Sequence, residues 1–270
     1  MIMAELHGKL STSASSHEIS EDVLTSNIFQ LMRYLPPELG IIPFFNSVFE
    51  DNNINVSLNL SKKWKVNYYF WPSGTKRGRE PDVLLYLKSE EAAYIFVIEA
   101  KYYSGPSDFE EKDEKTGRVY GNQLSDEYID LLNREYRGGR NSINVNAPQK
   151  NCFLLYLTKH YVKPKEDINK ATAEFQENSP ENKYKIENHL LWSNWTKIWS
   201  VLRSIEIEKY PFNLIRNDLI NLLERKGFKE FSGFMLDYWA RKYSSYYTEI
   251  WFDFDLRVFK KENAKFFSDK

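Results

Sequence analysis

An α/β domain, with a central mixed β-sheet flanked by helices and a helical C-terminal extension, is the fold class predicted by this 270-residue sequence. Three observations point to it. Runs with the period of a helix and runs with the period of a strand alternate through the first 165 residues. The stretch 93–101 is apolar on both faces, as expected of a central strand covered on both sides. Beyond residue 185 the remaining signal is helical, from Trp195, Ile198, Trp199 and Leu202, then from Leu214, Ile215, Leu219, Leu222 and Leu223 before Gly227.

The elements follow in order. Residues 1–17, rich in Ser, read as a flexible lead-in. A helix is expected from Ser20, a capping residue followed by Glu21 and Asp22, to the stop at Pro36 and Pro37. Alternation at Ile54, Val56, Leu58 and Leu60, then at Trp64, Val66, Tyr68 and Phe70, predicts two half-buried antiparallel strands. A second pair, 82–87 and 93–101, forms a hairpin whose turn centres on Glu90 and Glu91. The charged stretch 106–118 reads as an exposed loop. A helix over 122–136 places Leu124, Tyr128, Leu131 and Leu132 on one face, and Cys152–Thr158 is a buried strand. The polar stretch 163–185 is expected to separate a core domain, 18–165, from a mainly helical extension, 166–270, packed on it.

Composition narrows the function. Hydrophobic residues make up 42% of the chain and aromatics 16%, ample for a core. The single cysteine, Cys152, excludes an internal disulfide, and no basic-then-apolar leader is present, so a cytoplasmic protein is expected. No apolar run is long enough to span a bilayer. The balance of 37 basic and 38 acidic residues argues against holding nucleic acid by bulk charge. A local patch is still open, because Ile54–Arg79 lacks acids while Lys76, Arg77 and Arg79 interleave with aromatics; Trp71 is its candidate for base stacking. A solvated hairpin explains the same pattern. Arg134, Arg137 and Arg140 near the end of the 122–136 helix invite a phosphate contact, but also complement the helix dipole. Trp195 and Trp199, at helical spacing, read as core. Four scattered histidines, no phosphate-binding loop and no nucleophile elbow leave zinc, ATP and serine chemistry unsupported.

The informative feature is where charge meets the apolar strand. Glu99 and Lys101 share one face at the end of 93–101. A hairpin centred on Glu90 and Glu91 pairs residues whose numbers sum to 181, which sets Asp82 opposite Glu99 on that same face. Two carboxylates about 4 Å apart repel by about 4 kcal/mol at an effective dielectric near 20, so a cation is needed. Lys101 can serve one, and a hard divalent ion would serve both. Acid-x-Lys occurs five times in the chain, but only Glu99-Ala100-Lys101 ends an apolar strand; Pro-Asp occurs once, at Pro81-Asp82. The bland alternative is a salt-bridged strand end contributing under about 1 kcal/mol.

Pro81-Asp82 followed across a hairpin by Glu99-Ala100-Lys101 resembles the PD-(D/E)xK signature of the restriction-endonuclease-like nucleases. The resemblance spans about residues 79–128. It implies a restriction-endonuclease-like fold, Asp82 and Glu99 as ligands of Mg2+ or Mn2+ with the Ala100 carbonyl, and Lys101 attending the attacking water. It further implies a helix acid, matched by Glu21 with Glu18 or Asp22 as alternatives, and a helix glutamine, matched by Gln123. The implied activity is hydrolysis of DNA in restriction or antiphage defence, by a homodimer or with a partner protein encoded nearby. The rival reading keeps the fold but makes it a nucleic-acid-binding or partner-docking module.

Overall fold

The computed structural model of the chain describes residues 16–102, 111–112, 119–179 and 185–230, with the backbone alone at 16–20, 111–112 and 119–120. The elements are α1 (Ser16–Met32), α2 (Ile41–Asp51), β1 (Lys65–Phe70), β2 (Ser73–Gly74), β3 (Val83–Lys88), β4 (Ala93–Ala100), β5 (Glu111–Lys112), β6 (Val119–Tyr120) and α3 (Gln123–Asn133). They continue with β7 (Glu135–Gly138), β8 (Asn141–Asn144), β9 (Cys152–Thr158), α4 (Lys165–Asn178), β10 (Leu190–Asn194), α5 (Trp195–Ser204) and α6 (Phe212–Arg225). A five-stranded mixed sheet, β1-β3-β4-β9-β10, forms the centre. β1, β3 and β4 run antiparallel to their neighbours; β4, β9 and β10 run parallel, so their C-terminal ends meet at one edge.

The hairpin register is the expected one. Val83 pairs with Ile98 and Lys88 with Ala93, and the Ser89 N–H closes the turn on the Ala92 carbonyl at 2.8 Å. Alternation then sends odd and even residues to different cores. Val83, Leu85, Phe96 and Ile98 face α1, α2, α5 and α6, where Phe45 stacks on Phe96 with centroids 3.7 Å apart. Leu84, Ile95 and Val97 face Leu124 and Tyr128 of α3 and Phe175 of α4. Both faces of β4 are therefore covered, as its apolar composition requires. Burying each such side chain stabilises the fold by about 1.5–3 kcal/mol.

Several expectations are corrected. Residues 54–60 form no strand: Leu58 is held by the Asn46 side-chain amide, which accepts its N–H at 2.7 Å and donates to its carbonyl at 2.9 Å. One side chain thus replaces a ladder, and the alternation records packing on α2 alone. α1 begins at Ser16, so the proposed cap, Ser20, lies inside it; residues 1–15 fall outside the described residues. Within the expected 106–118 loop, Glu111–Lys112 pairs with Val119–Tyr120 just beyond it. α3 stops early because Arg134 takes a left-handed conformation, φ 57°, and Tyr136 and Ile143 then alternate inward as a β7–β8 hairpin.

The polar stretch 163–185 is not a separator. It contains α4, seated by Ala171 and Phe175, one turn apart, and the next segment supplies β10, the edge strand beside β9. The segment expected to be a helical extension thus contributes to the main sheet, and everything described up to Lys229 belongs to one compact unit. Trp195 and Trp199 are core residues, as expected. Among the described residues no helix is long and apolar enough to cross a membrane.

Candidate active site

The strand ends bring the sequence-predicted groups together. Asp82 immediately precedes β3; its carbonyl accepts the Trp71 N–H at 2.9 Å, and its Oδ2 accepts the Ala100 N–H at 2.8 Å. Glu99 is the penultimate residue of β4 and only 2% exposed. Lys101 extends the parallel ladder, donating its N–H to the Leu157 carbonyl at 2.7 Å, and its Nζ lies 2.6 Å from Glu99 Oε1. Glu21 enters from α1. Its Oε1 lies 3.6 Å from Lys101 Nζ and its Oε2 accepts the Tyr102 N–H at 2.6 Å. Glu21 is therefore brought to the lysine, as the sequence suggested; the side chain of Glu18 lies outside the described residues.

Gln123 opens α3. The helix is started by Asn122, whose side chain accepts from the N–H groups of Leu124 and Ser125 at 3.1 and 3.3 Å. Glu174 of α4 in turn grips the Asn122 N–H with both carboxylate oxygens, at 2.8 and 2.9 Å. A Cβ at Gly121 would stand 2.0 Å from Glu174 Oε1, so any larger residue there would push this carboxylate off the Asn122 N–H. So fixed, Gln123 donates to Glu99 Oε1 at 2.7 Å and to Glu127 Oε1 at 3.0 Å. Glu127 was not among the residues singled out from the sequence. It sits one helical turn after Gln123, a spacing that puts both on one face, and it shares the Gln123 side-chain amide with Glu99.

Electrostatics follow from burial. Burial first, then the Glu99 charge, pushes the Asp82 carboxyl well above the usual range, against Lys101 and the Ala100 N–H. Glu127 is likewise raised, by burial and by Glu99. Glu21 is raised by burial, against Lys101 and the Tyr102 N–H. For Lys101 burial favours the neutral amine, but the carboxylates of Glu99, Asp82 and Glu21 outweigh it and hold the proton more tightly than usual. A lysine so placed is a cation and a hydrogen-bond donor, not a base.

The donor set suits a hard ion. Magnesium is commonly held by one or two carboxylates with water and substrate phosphate completing its shell; Asp82 and Glu99 supply two, and Asp82 Oδ1 has no hydrogen-bond partner among the described residues. Among those residues no group of three or more His, Cys, Asp or Glu is disposed to hold a metal, so an ion here would depend on that pair.

The proposed basic patch is mostly dismantled. Arg79 Nε meets Asp126 Oδ2 at 3.2 Å and its Nη2 donates to the Gly121 carbonyl at 2.6 Å; Arg77 Nε lies 3.4 Å from Asp126 Oδ1. Asp130 accepts the N–H groups of Lys76, Arg77 and Arg79 at 2.8, 2.7 and 3.3 Å, and Gly74 lies so close that a Cβ would stand 2.3 Å from its carboxylate. Trp71 is 5% exposed and packs beside Phe70, which removes it as a stacking surface. Of the four residues only Lys76 is exposed. A cavity of about 470 Å³ lies elsewhere, against the β7–β8 hairpin. Comparison with protein-family models, with curated proteins and with solved structures returns no match, so the functional reading rests on this geometry.

Proposed function

We propose that the chain is a metal-dependent nuclease with a restriction-endonuclease-like core, hydrolysing phosphodiester bonds of DNA. One observation supports it above the others: Asp82, Glu99 and Lys101 gather at the C-terminal edge of the parallel strands, the lysine 2.6 Å from Glu99, where open α/β sheets place their ligands. Asp82, Glu99 and the Ala100 carbonyl would hold Mg2+ or Mn2+, which when bound lowers the pKa of water and screens phosphate charge. Lys101, kept protonated by its three acids, orients the attacking water and stabilises the added negative charge at phosphorus. Gln123 fixes the Glu99 carboxylate and is itself held by Glu127; Glu21 fixes the ammonium and the backbone beyond it.

A second reading, a nucleic-acid-binding or partner-docking module with a metal site too weak for cleavage, draws on the same contacts. Glu99 Oε1 already receives both Lys101 and Gln123, so the protein itself satisfies part of the site. The test incubates purified protein with linear, circular and single-stranded DNA and with RNA, in Mg2+, Mn2+ or chelator. Cleavage of DNA that chelator abolishes and Lys101→Ala removes supports the nuclease; binding without cleavage, retained in Lys101→Ala, supports the module.

A further inference from the structure

Arg134, Arg137 and Arg140, which the sequence offers either to phosphate or to a helix dipole, are separated by the fold. α3 ends at Asn133, and Arg134 donates its Nη1 to the Ala147 carbonyl at 2.8 Å. Arg137 lies on β7 and Arg140 in the turn to β8, beyond the last helical turn, where a cation serves the dipole. Both are exposed, and neither guanidinium has a hydrogen-bond or ion-pair partner among the described residues. Period-two alternation turns Tyr136 and Ile143 into the core and Arg137, Ser142 and Asn144 outward, with Arg137 opposite Ser142. β2 pairs with β7, and the exposed Lys76 follows it. No Asp or Glu occurs between Glu135 and Glu166, and Glu135 is itself engaged, accepting from Thr75 Oγ1 at 3.1 Å and from Asn133 Nδ2 at 3.3 Å. The cavity of about 470 Å³ at this hairpin is lined by Arg134, Arg137, Thr75, Ser142 and Asn144, with Glu135 its one carboxylate. Such a lining suits an anion.

We propose that the β7–β8 ribbon is a phosphate-binding element for the polynucleotide substrate, with Arg137 and Arg140 as its contacts. This rests on the nuclease reading. A guanidinium presents paired N–H donors that match a phosphate, and a two-stranded ribbon fits the major groove of DNA. With a net charge of −1 the chain has no bulk attraction for a polyanion, so contact depends on local cations that no carboxylate already holds. Arg77 and Arg79 are spent on Asp126; Arg137 and Arg140 are not. The ribbon is also tied to the candidate site. α3 opens with Gln123 on Glu99 at 2.7 Å and closes with Asn133 on Thr75 Oγ1 at 3.2 Å. At 1.5 Å per residue these ends stand about 15 Å apart, or about four steps of 3.4 Å along a DNA strand. The contact therefore falls on the flank of the substrate, away from the scissile phosphate, and adds affinity rather than chemistry.

The test measures binding of a fluorescently labelled DNA duplex in chelator, over a series of NaCl concentrations, to wild type, to a variant carrying Arg137→Gln with Arg140→Gln, and to one carrying Arg137→Lys with Arg140→Lys. Each phosphate contact contributes about one to the slope of log affinity against log salt, so the glutamine variant should bind more weakly with a slope shallower by about two. The lysine variant, which keeps both charges, should keep the slope. Both should keep the wild-type Tm, because the two side chains are exposed. In Mg2+ the glutamine variant should also raise KM for cleavage. A wild type that binds or cleaves DNA while the glutamine variant matches its slope and KM overturns this inference alone. Binding of dAMP that the glutamine variant loses, with DNA binding unchanged, assigns the cavity to a free small anion and also overturns it. A wild type that neither binds nor cleaves any nucleic acid overturns the nuclease reading with it.

Discussion

Two buried acid clusters contact neighbouring faces of α3, and they are built differently. Asp126 and Asp130 face two guanidinium groups and four backbone N–H groups: Arg77 and Arg79 serve Asp126, the N–H of Gly121 joins them, and Asp130 holds the N–H groups of residues 76, 77 and 79. Glu99, Asp82, Glu21 and Glu127 share the single ammonium of Lys101. Glu127 Oε2 is buried with no hydrogen-bond donor. One cluster locks the 73–79 segment onto α3; the other has more carboxyl groups than its one cation among the described residues can neutralise. A fold tolerates such an excess where protons, or a metal and its substrate, complete the site.

The largest effect expected from breaking this contrast is at the under-neutralised cluster. Asp82→Asn keeps an acceptor for the Ala100 N–H but loses a metal ligand, so metal-dependent cleavage should fall by about a thousandfold, measured as kcat on linear DNA. The same variant should melt higher at neutral pH, because it removes a buried carboxyl that resists ionisation. Wild-type cleavage by Asp82→Asn would show that the pair holds no essential ion.

The closed cluster should respond in stability alone. Asp126→Ala leaves the largely buried Arg79 guanidinium without its carboxylate and should cost about 3 kcal/mol in denaturant unfolding. A smaller effect is expected at Glu127→Gln, with a definite pH signature. The folded state holds the Glu127 proton more tightly than the unfolded state, so wild type loses stability as pH rises above the ordinary 4.5, through the raised folded value. Glutamine is always neutral. The variant should therefore have the higher Tm at pH 7, and the gap should close as pH falls below 4.5; a gap that widens on acidification contradicts a protonated Glu127. Arg77→Ala should be the mildest, under about 1 kcal/mol, because its side chain is 34% exposed.

The geometry of the candidate site was readable in advance because it depends on short-range rules. A two-residue turn fixes the hairpin register, and period-two alternation puts residues 82, 99 and 101 together. Most other departures came from side chains doing what backbone patterns usually signal. Asn46 substitutes for a strand neighbour of Leu58, so alternation without a ladder looked like a strand. α2, in "IIPFFNSVFED", has helical spacing, with Ile41, Ile42, Phe44, Phe45, Val48 and Phe49 all buried, but it follows Pro36-Pro37 closely and carries Pro43 in its first turn, which reads as a breaker. α4 shows only Ala171 and Phe175 to the core, too faint a stripe among polar residues. The basic run 76–79 looked like a phosphate patch because the acids that neutralise it lie some fifty residues later, on α3. Glu127 was discoverable from its i, i+4 spacing to Gln123, once Gln123 was placed at a helix start.

The most direct measurement of the central claim is a calorimetric titration of Mn2+ into wild type and Asp82→Asn, repeated in buffers of different ionisation heat. If the cluster holds its excess of carboxyls for a hard cation, wild type binds the ion and releases a proton on doing so, and Asp82→Asn does neither. No binding by wild type, or equal binding and proton release in both proteins, would contradict it.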